Sequence, residues 1–225
     1  MPTADRSVLI VFARAPEPGR VKTRLAPVLG DKGAARLHTL LVERTLRTAT
    51  LAGFDEVHLC CAPQAGGKFF SAMKKRFGVR LSSQGRGGLG ERMQRALRRH
   101  PGAVLIGSDC PSLRPADLRA AARALRSGQD AVFCPAEDGG YALIGARRSV
   151  STLFDGVKWG SAKVMAQTRA RLRRLGWRWR ELRTVWDVDR PEDLVRLRKS
   201  RLLAAGSLPA KPRRTSSAGR RRAGP

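Results

Sequence analysis

The sequence predicts a three-layer α/β fold with a mostly parallel sheet and helices on both faces. Two observations carry this. Ser7–Ala13 (SVLIVFA) and Ala103–Gly107 (AVLIG) are continuous apolar runs, the pattern of strands buried on both faces. Such runs alternate along the chain with helical patterns of about ten or more residues, which is the signature of βαβ units.

The elements follow in order. After the first strand, Arg14–Leu25 (RAPEPGRVKTRL) reads as a loop, punctuated by Pro16, Pro18 and Gly19. Asp31–Leu51 carries Leu37, Leu40, Leu41 and Leu46 at helical spacing. Glu56–Ala62 is a strand, Lys68–Phe77 a short helix and Val79–Ser82 a short strand. A glycine-rich stretch, Gly85–Gly90, introduces a helix over Leu89–Arg99. Pro115–Arg126 is a helix with proline at its favoured first position. Asp130–Pro135 and Tyr141–Gly145 are strands, Ser161–Leu175 a helix, Trp177–Leu182 a strand and Pro191–Leu203 the last helix. No internal repeat occurs. The pattern gives one domain over residues 1–204. The remainder, 205–225, is Ala, Gly, Ser, Pro and basic residues with little to bury, and reads as a disordered basic tail.

Composition bounds the function. The 225 residues are 42% hydrophobic, enough for one substantial core. No apolar run approaches the roughly 20 residues that span a bilayer, and no secretory leader pattern stands at the start. Formal net charge is +27. Ten of the basic residues fall from Arg196 onward with no acid among them, and 36 of the 45 are arginine, a bias that a GC-rich genome produces unaided. The charge favours anionic partners: nucleotides, phosphates, nucleic acids or anionic membrane surfaces. A non-enzymatic nucleic-acid-binding protein is the second alternative that the charge offers, but specific binding is not expected, because no basic segment with interleaved aromatics accompanies it. The four cysteines, Cys60, Cys61, Cys110 and Cys134, form neither a zinc pattern nor a disulfide framework, and read as small buried hydrophobes in a reducing cytoplasm.

In an open α/β sheet, ligands sit beyond the carboxyl ends of the strands. Four polar segments fall there. Arg14, Arg20, Lys22 and Arg24 follow the first strand and offer donors for phosphate oxygens; a solvated basic loop is the plain alternative. Asp109, in Gly107–Pro111, follows a buried strand, where a carboxylate suits Mg²⁺ or Mn²⁺; it is equally a turn-forming residue. Asp138, Gly139, Gly140 and Tyr141 form a sharp turn where backbone can approach a ligand, or an ordinary hairpin turn. Asp187 and Asp189 in WDVDRPED point to one side if the segment is extended, while Asp189 with Glu192 has the spacing of a capping box. Gly85-x-Gly87-x-x-Gly90 mimics a dinucleotide fingerprint but follows the wrong strand. The three histidines, His38, His58 and His100, read as packing or surface residues, and Ser108 and Ser112 lack a hydrolase elbow.

Taken together, FARAPEPGRVKTRLAPVLG, GLGERM, LIGSDCPSL, PAEDGGYALIG and WDVDRPEDL resemble a bacterial family of nucleotide-diphospho-sugar transferase-like proteins, domain of unknown function 2064, over about residues 6–200. Members carry labels such as radical-SAM-associated transferase and arsenosugar-biosynthesis glycosyltransferase. The family is similar to the GT-A superfamily. The resemblance implies a metal-dependent glycosyltransferase with a nucleotide-sugar donor and a small-molecule acceptor; nucleotidyl transfer from a nucleoside triphosphate, releasing pyrophosphate, is the alternative. It implies that Arg14, Lys22 and Arg24 approach the nucleotide phosphates. It implies Asp109 and Asp189 as ligands of Mg²⁺ or Mn²⁺, and Asp109 with Asp138 as the catalytic acids. Gly139, Gly140 and Tyr141 fall to the sugar or acceptor. Arg190 departs from the threonine common at its position, and Gly85–Gly88 lacks the acid that many relatives carry there.

Overall fold

The computed structural model describes residues 6–148, 151–203 and 209. Seven strands form one sheet: β1 Val8–Arg14, β2 Glu56–Ala62, β3 Arg80–Ser83, β4 Val104–Gly107, β5 Ala131–Pro135, β6 Tyr141–Ala146 and β7 Trp179–Glu181. Their order is β3-β2-β1-β4-β6-β5-β7. All pairs are parallel except those of β6, which runs antiparallel between β4 and β5. The carboxyl ends of β1 to β5 therefore share one edge with the start of β6.

Six helices cover the sheet: α1 Ala26–Thr50, α2 Lys68–Phe77, α3 Leu89–Arg99, α4 Pro115–Arg126, α5 Val164–Arg174 and α6 Pro191–Ser200. On one face, Val42 and Leu46 of α1, Phe70 of α2 and Leu118 of α4 pack on Leu9, Val11, Leu59 and Ile106. On the other, Met93 and Leu97 of α3 and Leu172 of α5 pack on Ile10, Phe12, Leu105 and Phe133. Alternate residues of each strand thus feed opposite cores, the period-two consequence of a sheet covered on both sides. A third cluster joins Leu37 and Leu41 of α1 to Trp186, Val188 and Leu194, so α6 and the segment before it dock on α1.

Differences from the expected elements lie at their ends. α1 begins at Ala26, with a break at Gly30 (φ +68°), and the uninterrupted helix starts at Asp31 as its leucine spacing indicates. The loop after β1 tightens into a short 3-10 turn over Thr23–Leu25. The capping box of α6 is formed one residue later than the Asp189/Glu192 spacing suggests: Asp193 Oδ2 accepts the backbone N–H groups of Asp189 (2.9 Å) and Arg190 (2.7 Å). Asp189 is thereby free of capping duty. All four cysteines are free and buried. The tail lies outside the described residues but for Pro209, which is buried beside Gly33 of α1.

Candidate functional site at the carboxyl edge of the sheet

The loop after β1 is not wholly the exposed basic loop that its composition suggests. Arg14, Arg20 and Arg24 are exposed, but Lys22 is folded inward with 4% of its side chain accessible. Its backbone takes the left-handed conformation (φ +50°), shared among non-glycine residues of the described chain only with Arg201. Such strain persists where the surroundings hold it in place. Lys22 Nζ donates to the carbonyl of Val188 at 2.6 Å and lies 2.9 Å from Asp109 Oδ1.

Asp109 follows β4 directly, so its position is fixed by a buried strand. Oδ1 is buried and, despite the ion contact with Lys22, has no hydrogen-bond partner in good geometry. Half of the side-chain surface is accessible, which leaves the other oxygen to the crevice. His38 backs the pair: its Nε2 meets the Arg14 carbonyl at 3.1 Å, and its unpartnered Nδ1 lies 3.8 Å from Asp109 Oδ1. Burial works to raise the Asp109 pKa, but the charges of Lys22 and His38 outweigh it and hold the carboxyl below its ordinary value. Burial holds His38 below the usual imidazole range, against the pull of Asp109.

The Val188 N–H donates to the Asp109 carbonyl at 2.9 Å, so the segment before α6 is stitched to the end of β4. That segment is irregular, and its two acids part company. Asp189 pairs with Arg24 across the surface. Asp187 lines a hollow with Asp109 and Asp138. Burial, and then the neighbouring Asp138 charge, push Asp187 up to about 6. Sequence reasoning put weight on Asp189; the Asp-x-Asp spacing offered Asp187 too, but only an extended strand would have set both on one side.

Two hollows open near this pair: Val21 and Thr23, which flank Lys22 in the chain, line one, and Asp109 lines the other. One, of about 690 Å³, is lined by Arg14, Arg20, Arg86 and Arg92 with the glycines of both adjoining loops. Arg92 is braced by Gln84, which is itself buried and donates to the carbonyls of Ala13 (3.1 Å) and Cys60 (2.9 Å) while accepting from Arg92 (3.0 Å). The Gly85–Gly90 stretch serves this hollow and introduces α3. Arg92 belongs to the GLGERM segment but, like Arg86 and Gln84, is given no site role by the sequence; their place on the connection after the third strand brings them here.

The second hollow, of about 290 Å³, is lined by Asp109, Asp138 and Asp187 with Gly140, Tyr141 and Trp159 among its walls. The Asp138 turn is tightly built. Asp138 Oδ1 accepts from Gly140 N at 2.9 Å, and Gly139 (φ +86°) passes so close to Ala162 that a Cβ would sit 2.2 Å from its carbonyl oxygen. Gly139 thus shapes the turn from behind, while Gly140 and Tyr141 reach the hollow. Tyr141 meets Trp159 edge-on at 6.2 Å and Phe133 at 5.2 Å, and burial pushes its hydroxyl pKa up.

Among the described residues no three His, Cys, Asp or Glu side chains cluster as a metal cage. A magnesium-type site needs only one or two carboxylates, with substrate phosphates and water completing the shell. The crevice-facing oxygen of Asp109, in an all-oxygen donor set, fits a hard cation of that kind. No helix of the described residues is long and apolar enough to cross a membrane.

Comparisons with known proteins agree with this architecture. A proposed nucleotide-diphospho-sugar transferase from Desulfovibrio desulfuricans G20 superposes with a TM-score of 0.78 at 32% identity, covering 88% of each chain. CMP:2-keto-3-deoxy-manno-octonic acid synthetase complexed with CTP shares the fold at a TM-score of 0.53 and 15% identity, over 87% of this chain and 98% of that one. Glucosyl-3-phosphoglycerate synthase from Mycobacterium tuberculosis, in complex with Mn²⁺, UDP and glucosyl-3-phosphoglycerate, shares it at 0.50 and 16% identity, over 85% and 75%. No curated protein matches the sequence. The model of the uncharacterised bacterial family DUF2064 matches residues 45–161, from the second half of α1 to the Trp159 wall. By that match and its 32% identical relative, the chain belongs to the DUF2064 family, whose fold is that of the nucleotide-diphospho-sugar transferases.

Proposed function

We propose that this protein is a metal-dependent glycosyltransferase that takes a nucleotide-sugar donor and a small-molecule acceptor. The observation that carries the reading is the Lys22–Asp109 pair at the strand ends, with Asp109 lining an acid-lined hollow and the residues flanking Lys22 lining an arginine-lined one. A leaving nucleoside diphosphate gathers negative charge that must be neutralised. Arg14, with Arg20, Arg86 and Arg92, would hold the nucleotide phosphates, and Lys22 stands where the diphosphate meets the strand ends. Arg24 joins them on leaving Asp189. Asp109 and Asp189 would hold Mg²⁺ or Mn²⁺, a Lewis acid for the phosphate oxygens. The metal-bearing and nucleotide-bearing relatives named above support this assignment by analogy of fold.

In this reading the acid-lined hollow takes the sugar with the acceptor beside it. The acceptor hydroxyl attacks the anomeric carbon, the bond from that carbon to the phosphate oxygen breaks, and the nucleoside diphosphate leaves with the electron pair. Asp138, exposed on its rigid turn, accepts the hydroxyl proton.

The test is a nucleotide panel with Mn²⁺ present and absent, read by melting temperature, since a bound donor stabilises in proportion to the logarithm of its concentration over Kd. Nucleotide sugars should stabilise the protein and release nucleoside diphosphate on turnover. Stabilisation by nucleoside triphosphates alone, with pyrophosphate released, would replace glycosyl by nucleotidyl transfer.

A further inference from the structure

The two hollows carry opposite charge, and that contrast says what each admits. The larger is walled by four arginines and one acid, Glu17, which pairs with Arg20. The smaller has three carboxylates, from Asp109, Asp138 and Asp187, and no lysine, arginine or histidine among its lining residues. Lys158 and Lys163 flank its Trp159–Ser161 wall in sequence, but both are exposed and neither lines it.

The rest of the small hollow is apolar and built to be so. Met93 and Val164 are buried beneath it, Leu89 stands at its lip, and Tyr141 meets Trp159 edge-on. Gly90 makes the wall: a Cβ there would lie 3.0 Å from the Trp159 ring, so any side chain would push the indole away. Carboxylates accept hydrogen bonds and donate none when ionised. A ring with an apolar face and several hydroxyl groups satisfies both walls at once. A ring bearing its own carboxylate or phosphate meets like charge at Asp138 and Asp187, the two acids of the hollow that hold neither Lys22 nor, in the reading above, the metal. The volume of about 290 Å³ is at the small end for ligand sites, room for one ring.

We propose that this hollow selects an uncharged polyhydroxylated ring and turns away anionic sugars, with Asp138 and Asp187 as the selecting residues. The proposal rests on the nucleotide-sugar reading above, and assigns the donor's sugar to a neutral hexose or a close relative rather than a uronic or phosphorylated one.

The experiment is calorimetric titration at pH 8 with Mg²⁺, using UDP, GDP and two matched pairs: UDP-glucose with UDP-glucuronate, and GDP-mannose with GDP-mannuronate. Within the pair whose base is accepted, the neutral sugar should bind about tenfold or more tightly, the direction that like-charge exclusion gives. Asp187→Asn and Asp138→Asn should each narrow that ratio by weakening the exclusion of the uronate, at unchanged affinity for the bare nucleoside diphosphate. Equal affinity within the pair overturns the charge selection and leaves the nucleotide-sugar reading standing. Binding of UDP or GDP without either sugar form also overturns it, because the hollow then admits no ring. If no nucleotide binds at all, the transferase reading itself falls. The two asparagine variants act on different elements, so a ratio unchanged in both, with melting temperatures intact, removes the roles given to these residues.

Discussion

Lys22 and Asp109 face each other at 2.9 Å although the lysine side chain is 4% accessible and the carboxylate half open. A buried ammonium with one partner and one carbonyl is held for its charge, since burial alone disfavours it. Replacing Lys22 by alanine should therefore do two things that replacing Arg24 does only in part. Nucleotide affinity should fall by about 1.5–3 kcal/mol, the range for charge-assisted hydrogen bonds. Stability should fall as well, by about 1–3 kcal/mol, because the Val188 carbonyl and Asp109 Oδ1 lose their partner. Denaturant unfolding and calorimetry measure the two separately.

Asp189→Asn should leave the apo protein's melting temperature nearly unchanged, since Asp193 and not Asp189 caps α6, and the Arg24 pair is exposed. Metal-dependent nucleotide binding should be lost. Calorimetric titration with and without Mn²⁺ checks this, and metal dependence equal to the unmodified protein would leave Asp109 as the remaining ligand. Asp193→Ala should show the reverse pattern, costing about 1 kcal/mol of stability through the lost cap.

Gly139→Ala should destabilise by about 3 kcal/mol or more. It combines a left-handed backbone with a Cβ placed 2.2 Å from the Ala162 carbonyl oxygen, and backbone cannot swing aside as a side chain does. Gly140→Ala, where the nearest atom is an Asp138 carboxylate oxygen at 3.2 Å, should cost less. Thermal unfolding of the pair ranks them.

The acid side of the stability profile should carry a contribution from Glu181, whose carboxylate takes two hydrogen bonds from Arg169 at 2.8 and 2.7 Å. Those bonds hold its pKa below the ordinary glutamate value. The folded state therefore binds this proton more weakly than the unfolded chain. The pair stabilises above the unfolded pKa, and that share is lost as pH falls through the folded one. Partial exposure keeps it to about 0.5–1 kcal/mol. Glu181→Gln should flatten the difference between pH 7 and pH 3 in urea titrations by that amount.

Truncation after Pro209 should leave the melting temperature unchanged, whereas truncation after Ala204 should lower it slightly through loss of the contact with Gly33. Scanning calorimetry on the two shortened chains measures the difference.

The fold was legible wherever burial on both faces forces a run of apolar residues, as in Val8–Arg14 and Val104–Gly107, and wherever a helix end carries proline or glycine. What the residues did not disclose is direction. β6 is as apolar as β5, and its antiparallel course follows from the tight Asp138–Gly140 turn, too short for a crossover helix. The site was legible where a polar residue directly follows a buried strand, as Asp109 does. It was not legible where a residue arrives by packing. Lys22 looks like its exposed neighbours in sequence, and its inward turn depends on a partner far along the chain. Arg92 and Gln84 gain their places only because β3 ends beside β2.

The hydrogen bond from Lys22 to Val188 closes a span of 166 residues, with the link from Val188 back to Asp109 beside it. During synthesis the first lysine of the crevice waits for nearly the whole chain to leave the ribosome. Contacts of such separation come late, since their closure cost must be met by structure already formed. A nascent or prematurely ended chain can thus pair β1 to β6 before the contact between Lys22 and Val188 exists. A chain ended anywhere before Val188 leaves the Lys22 ammonium without that carbonyl even where most of the sheet survives.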